Sequence, residues 1–260
     1  MMTSTRGALA KVPEVTLGFW VLKILATTLG ETGADVFTQQ YAMGYAAGIA
    51  LFCVPLLVLV AAQVRARGFN KWLYWATILA STTAGTALAD FFDRSLGIGY
   101  PGGTVVLVVC VAGSLLAWRA VCGTIAVASI DSARPELFYW LTITFSQTLG
   151  TALGDWTADS FGDATFMGIE SGYVFGAALF AGALVALALL WRLTAVSRTG
   201  LFWGAFVLTR PLGATVGDFL DKPLAKGGLD LGRDHATYVL IAAIVIGLLT
   251  IPQRPASRAH

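Results

Sequence analysis

The sequence predicts an all-α membrane bundle of eight transmembrane helices, arranged as four parallel tandem helical hairpins with both termini cytoplasmic. Three observations predict it: apolar runs too long for soluble core helices, one internal spacing repeated four times, and a one-sided distribution of Lys and Arg. The 260 residues are 57% hydrophobic with a mean hydropathy of +0.74, and only 12% are charged. A soluble domain usually carries about twice that charged fraction.

The elements follow in order. A short polar leader of 14 residues precedes the first apolar stretch, with no small-residue cleavage site after it, so the first helix is expected to be retained. Helices are predicted at 15–37, 43–64, 71–93, 103–122, 136–158, 170–191, 200–221 and 236–252. Val105 to Trp118 and Val174 to Trp191 contain no charge at all, and about 20 mostly apolar residues suffice to cross a bilayer core. The connections are short, so residues 1–260 read as one transmembrane domain with repeats at about 15–66, 70–125, 135–193 and 198–253.

Orientation comes from the basic residues. Arg6, Lys11, Arg65, Arg67, Lys71, Arg119, Arg134, Arg192, Arg198, Arg254 and Arg258 fall on one side; Arg94, Lys222, Lys226 and Arg233 fall on the other. The richer side faces the cytoplasm, so an inner (cytoplasmic) membrane with both termini inside is expected. The acids run the other way, twelve of fifteen lying in the outer half or outer loops. Cys53, Cys110 and Cys122 have no CxxC spacing and imply no disulfide framework.

The repeat is the most specific signal. Units open with Phe19-Trp20, Tyr74-Trp75, Tyr139-Trp140 and Phe202-Trp203. Ten residues after each Trp stands Gly30, Gly85, Gly150 or Gly213; fifteen after it stands Asp35, Asp90, Asp155 or Asp218. Because each unit holds two helices, successive units enter the membrane in the same direction. A shared second-helix opening, Gly44-Tyr45 with Gly48 and Gly172-Tyr173 with Gly176, suggests two halves near 1–130 and 131–260.

Each repeated residue has an expected use. The four Trp residues suit interface anchors. Small residues six, ten and fourteen after each Trp, such as Ala26-Gly30-Ala34 and Ser146-Gly150-Gly154, form a ridge on one helix face. Such a ridge lets helices approach closely in lipid, so the odd helices are expected as an inner layer with the apolar even helices outside. Thr28, Thr83 and Thr148 stand seven residues before their Asp and are expected on the same polar face, with Pro211 at that place in the fourth unit. Four residues before each Asp stand Glu31, Thr86, Thr151 and Ala214, and eight before it Thr27, Thr82, Gln147 and Arg210.

Fifteen residues of helix rise about 22 Å, which leaves each Asp roughly 8 Å short of the outer edge of a core about 30 Å thick. Carboxylates at that depth face a cavity or a partner, or they end the helix at the interface. Two departures break the symmetry. Glu31 is the only acid at its position, and Arg210 is a mid-helix Arg followed by Pro211, which removes a helix hydrogen bond and favours a kink. An ion pair of Arg210 with Glu31 or an Asp is expected. Lys23 is expected to snorkel to the inner end. Asp93, Asp159, Asp163, Glu170, Asp221, Asp230 and Asp234 add an acidic outer mouth that would concentrate cations.

Four tandem two-helix units carrying Trp20, Trp75, Trp140 and Trp203, each ending Gly–small–Asp, resemble a bacterial family of uncharacterised membrane-anchored proteins built on a repeat of unknown function. The resemblance covers residues 15–252 and departs most at Arg210-Pro211. It implies the fold and no activity.

The residues therefore have to supply the function. Asp35, Asp90, Asp155, Asp218 and Glu31 offer hard oxygen ligands suited to a divalent cation such as Mg, Mn or Ca. Clustered carboxylates repel and readily hold protons, which suits proton coupling. The expected function is thus a cation transporter or permease whose pathway uses those acids with Thr28, Thr83, Thr148 and Arg210. One alternative is a proton-coupled transporter of a small organic anion contacting Arg210; another is a non-transporting scaffold or sensor. No motif joins a nucleophile to a base, and the two histidines, His235 and His260, have no repeated companion, so the sequence points away from an enzyme. The implied partners are the lipid bilayer and a small ion or solute, with an oligomer left open; the net charge of +2 implies no nucleic acid.

Overall fold

The computed structural model describes residues 10–41, 45–95, 98–163, 165–166 and 169–256, with only the backbone at 39–40, 45, 94–95, 165–166 and 169–170. Arg6, Gly44, Arg258 and His260, and the side chains of Tyr45, Arg94 and Glu170, entered the sequence argument and lie outside the described residues.

Among the described residues eight α-helices appear where expected: α1 Leu17–Asp35, α2 Tyr45–Arg65, α3 Lys71–Asp90, α4 Gly99–Cys122, α5 Ala133–Ser160, α6 Gly172–Leu193, α7 Arg198–Asp221 and α8 Arg233–Thr250. Polar side chains set several starts. Thr16 Oγ1 accepts from the Phe19 amide, Asn70 Oδ1 from Trp72 and Leu73, and Ser197 Oγ from Gly200, satisfying donors that a helix start leaves over. α4 stops at Gly123, whose φ of 77° is open to a residue without Cβ. α7 runs unbroken through Pro211. Between α5 and α6, Thr165–Phe166 and Ile169–Glu170 pair as a two-residue antiparallel ladder.

The inner layer is a closed ring. α1 packs on α3, α3 on α5, α5 on α7, and α7 back on α1. The outer helices cover this ring one step out of phase: α2 packs chiefly on α3, α4 on α5, α6 on α7 and α8 on α1. Each hairpin therefore spends its second helix on the next repeat, and the last repeat closes on the first.

Two sets of contacts recur around the ring. A Cβ added at Gly30 would strike Thr82, at Gly85 Gln147, at Gly150 Arg210 and at Gly213 Thr27. So each glycine, ten residues after its Trp, seats the residue seven after the Trp of the following unit. At the Trp end, the aromatic ring before each Trp meets the next unit's Trp: Phe19–Trp75 at 5.6 Å, Tyr74–Trp140 at 5.7 Å, Tyr139–Trp203 at 6.2 Å and Phe202–Trp20 at 5.8 Å. The glycine ridge packs as the spacing implied.

The tryptophans depart from the expectation. Trp75, Trp140 and Trp203 are buried and Trp20 is half-buried. They pack inward against their neighbours' aromatic rings, with Trp118 of α4 added, because ring-on-ring contact buries more surface than an outward turn would. Trp203 Nε1 donates to the Ile125 carbonyl and Trp75 Nε1 to Gln253 Oε1. They plug one end of the bundle instead of anchoring its rim.

The segments just before α1 and just after α8 meet at that same end. Glu14 N donates to Arg254 O and Ala256 N to Val12 O, while Lys11 N donates to Ile130 O in the connection between the two halves. α2, α4, α6 and α8 are long and apolar enough to cross a membrane. Their outward faces carry large exposed apolar side chains such as Val58, Val109, Leu189 and Val245. The four inner helices are more polar, because their polar residues point at one another.

Candidate ion site on the repeat axis

Five buried layers stack along the ring, each made of one residue from each inner helix and each four residues beyond the last. Phe19, Tyr74, Tyr139 and Phe202 form the first layer; Lys23, Ile78, Ile143 and Phe206 the second; Thr27, Thr82, Gln147 and Arg210 the third. Glu31, Thr86, Thr151 and Ala214 form the fourth, and Asp35, Asp90, Asp155 and Asp218 the fifth. A row of every fourth residue is inclined about 26° to its helix axis. A straight column of such rows requires inner helices that cross the bundle axis at a similar tilt.

The column changes character along its length. In the first layer the Tyr74 and Tyr139 hydroxyls hydrogen-bond at 2.6 Å, and the Phe19 and Phe202 rings lie 6.4 Å apart. In the second, Lys23 is fully buried, with its Nζ 4.2 Å from the centre of the Phe206 ring. That corrects the expected snorkelling: Lys23 lies on the axial row, so its side chain is held among inner helices and cannot reach the rim.

Arg210 ties the third layer to the fourth. Its Nη2 lies 2.9 Å from Glu31 Oε2, 2.6 Å from Thr86 Oγ1 and 2.6 Å from Thr151 Oγ1, while Nη1 donates to the Thr27 carbonyl at 3.2 Å. One guanidinium from α7 thus touches α1, α3 and α5. Gly150 makes room for it, since a Cβ there would collide with the Arg210 stem and meet Pro211 Cδ at 3.0 Å. The expected Arg210–Glu31 pair is present and fully enclosed, at 0% and 4% side-chain exposure.

The acids converge beyond it. Carboxylate oxygens of Glu31, Asp155 and Asp218 lie within 4.8 Å of one another, as do those of Asp35, Asp218 and Asp221. Asp218 belongs to both triads. Asp90 is buried at the same level of α3 and belongs to neither. α1 and α3 pass directly from Asp35 and Asp90 into single π-helical turns at Val36–Gln40 and Phe91–Ser95, whereas α5 and α7 stay α-helical past their Asp. The two halves therefore differ at the acid layer.

Two cations close the outer triad. Lys222 Nζ sits 2.5 Å from Asp35 Oδ2 and 3.0 Å from Asp218 Oδ1; Arg233 Nε sits 3.4 Å from Asp221 Oδ2 and 3.8 Å from Asp35 Oδ2. Burial works to lower the Lys222 pKa, but Asp218, Asp35 and Asp221 outweigh it and hold the ammonium well above its ordinary value. The three acids thus favour the ammonium form of Lys222.

Thr28, Thr83 and Thr148 do not join the column. Their hydroxyls donate back to their own helices, at Ile24 O, at Leu79 and Ala80 O, and at Thr144 O. Thr148 also lines an apolar cavity of about 260 Å³ between α3, α4 and α5. They sit one residue round the helix from the axial row. The residues that the pathway argument passed over are Thr86, Thr151, Gln147, Lys23, Asp221, Lys222 and Arg233. The four-residue spacing already held the first four; Lys222, four after Asp218, carried a weaker signal, and Arg233 none.

The family model described as a Repeat of Unknown Function (DUF347) matches at 18–69, 73–124, 138–197 and 201–253, and the chain belongs to that family. No curated protein and no solved structure matches it. The four matches coincide with the four hairpins that build the ring.

Proposed function

We propose that this member of the repeat family is an integral membrane transporter of a small cation, with all eight helices crossing a bacterial inner membrane and both termini cytoplasmic. The observation that carries the reading is the convergence of Glu31, Asp155 and Asp218, buried and within 4.8 Å of one another. Hard carboxylate oxygens so arranged suit Mg, Mn or Ca. Asp35, Asp218 and Asp221 form a second triad on the outer side, so a cation would pass from one triad to the next through their shared Asp218.

Lys222 and Arg233 give the site its exchange logic. Five acids, Glu31, Asp35, Asp155, Asp218 and Asp221, face three cations, Arg210, Lys222 and Arg233. An arriving divalent cation would displace the Lys222 ammonium from Asp35 and Asp218; protons would neutralise the same acids when it leaves. The aromatic layer at the Trp end closes the axis on the other side, as alternating access requires of one end at a time.

The anion reading is weaker because the Arg210 Nη atoms are already committed to Glu31, Thr86, Thr151 and the Thr27 carbonyl. The test is divalent-cation flux in proteoliposomes for the wild type and for Asp155→Asn/Asp218→Asn. Flux should fall at least tenfold, the scale expected when charge-assisted ligands worth roughly 1.5–3 kcal/mol each are neutralised. Equal flux in both would remove the acids from the mechanism and the reading with them.

A further inference from the structure

Three segments outside the α-helices cross the Trp end of the ring: 10–16 ahead of α1, 124–130 between α4 and α5, and 251–256 after α8. Ala10, Val12, Ile130 and Ala256 are buried in the same apolar cluster as Trp75, Trp118, Trp140 and Trp203. Two of the segments also hold the plug by its indoles, since Trp203 Nε1 donates to the Ile125 carbonyl and Trp75 Nε1 to Gln253 Oε1. Parting these Trp residues therefore moves the crossing segments with them or breaks those bonds.

Residues 10–14 fasten the other pieces together. The Lys11 amide donates to the Ile130 carbonyl at 2.9 Å. Lys11 Nζ lies 2.8 Å from Glu136 Oε2 in the first turn of α5, and donates to the carbonyls of Gln63 at 3.3 Å and Val64 at 3.0 Å in the last turn of α2. α2 belongs to the first half of the chain and α5 to the second, so one side chain spans their seam. The Glu14 amide donates to the Arg254 carbonyl at 2.8 Å and the Ala256 amide to the Val12 carbonyl at 2.9 Å, bracketing the opposed pair Pro13 and Pro255. Proline has no N–H to give, and the pair between two such bonds is the place in an antiparallel ladder that needs none.

Every one of these contacts leads from residues 10–14 to another body: α2, the connection between the halves, α5 or the segment after α8. The strap has no helix of its own, and the apolar side chains it buries, Ala10 and Val12, are small. A segment so held opens locally at less cost than the helices it touches. We propose that residues 10–14 are the latch of an inner gate. Seated, they clamp α2 to α5 and keep the Trp end closed. Unseated, with Lys11 withdrawn from Gln63, Val64 and Glu136, they let the two halves part there and the axis open beneath the Phe19, Tyr74, Tyr139 and Phe202 layer. The latch rests on the transport reading, in which Lys222 and Arg233 close the acid end, and it supplies the release for the opposite end.

The experiment uses the full chain with Cys53, Cys110 and Cys122 replaced by Ala. Partners placed as Pro13 and Pro255 are stand about 4.5 Å apart at Cα, within reach of a disulfide. Oxidised Pro13→Cys/Pro255→Cys should lose about tenfold or more of its divalent-cation flux in proteoliposomes, as a gate held shut requires. It should regain the flux on reduction and keep its divalent affinity by calorimetry throughout. Undiminished flux with the disulfide formed overturns the latch. A second measurement needs no transport. Ile130→Cys, fully buried where the Lys11 amide bonds, should react with a water-soluble maleimide about tenfold faster once Lys11→Met is added, the worth of one charge-assisted hydrogen bond. Ala152→Cys, buried three residues before Asp155, should not accelerate. An unchanged rate at Ile130→Cys, or an equal acceleration at Ala152→Cys, overturns the latch. No flux in the wild type together with Lys11-dependent labelling upholds the opening and refutes transport; normal flux indifferent to the disulfide refutes the latch and leaves transport standing. If the cysteine pair does not fold, the Ile130→Cys rates decide.

Discussion

Removing Arg210 tests the axis most directly, because one side chain holds all four inner helices. At 2.9 Å the Arg210–Glu31 pair has a gross attraction of about 6 kcal/mol at an effective dielectric constant of 20. Desolvation of two enclosed charges offsets much of that, so the pair itself is worth little against an apolar substitute. The cost of breaking it is different. Arg210→Met leaves the Glu31 carboxylate buried, and it takes the donor away from Thr86, Thr151 and the Thr27 carbonyl. Losing one partner of a buried pair costs about 3–5 kcal/mol. Glu31→Met should cost a similar amount by stranding the guanidinium. The double variant strands no charge and should cost clearly less than the sum, by at least about 2 kcal/mol of coupling. Equilibrium unfolding of the four proteins in one detergent closes the cycle. Additive single costs would mean that the two side chains do not share an enclosed pair, and the axial packing described above would be wrong.

Three further outcomes follow from the same geometry. Gly213→Ala places a Cβ 2.8 Å from a Thr27 backbone carbon and Gly85→Ala one 2.8 Å from Gln147 Cβ, so each should lose about 1–3 kcal/mol to overpacking; Gly182→Ala, with nothing within 4 Å of its added Cβ, should be near neutral in the same unfolding assay. Tyr74→Phe or Tyr139→Phe alone strands a buried hydroxyl and should cost about 1–3 kcal/mol, whereas Tyr74→Phe/Tyr139→Phe should recover part of it, since no orphan remains. On the proposed reading, Lys222→Met removes the ammonium that competes for Asp35 and Asp218, so divalent affinity measured by calorimetry should rise; unchanged or weaker binding would refute that competition.

The ring was legible because it is made of repetition. Gly30, Gly85, Gly150 and Gly213 at one spacing implied close helix contact, and each does seat a neighbour's side chain. The facing of the polar residues was harder. The small ridge runs at six, ten and fourteen residues after each Trp, and the axial row runs beside it at seven, eleven and fifteen. Counting seven back from Asp35 reaches Thr28, which lies on the same face of a helix parallel to the axis; counting eight reaches Thr27, which lies on the axis when the helix is tilted. Tilt comes from packing four small ridges into four neighbours, and no single helix encodes it. The Trp residues misled for a related reason: Trp75 reads as a rim anchor until a second ring, Phe19, is known to lie beside it. Arg233 reached the acids through loop geometry that leaves no spacing to read.

The four units supply one scaffold and four different fillings. Backbone contacts keep the symmetry, since every glycine must admit its neighbour for the ring to close. Axial side chains are released from it, because one layer needs only a combined volume and charge that fit. The second layer spends one position on Lys23 against three apolar residues, the third one on Arg210, the fourth one on Glu31. Strict fourfold symmetry there would put four arginines or four glutamates in contact, at a repulsive cost that no packing gain offsets. Only the Asp layer keeps one residue type in all four units. There the structure breaks the symmetry by other means, drawing Asp35, Asp155 and Asp218 into triads, leaving Asp90 out, and importing Lys222 and Arg233. On the proposed cation-transport reading, this layer would receive a mobile positive charge, and there retained like charges are useful.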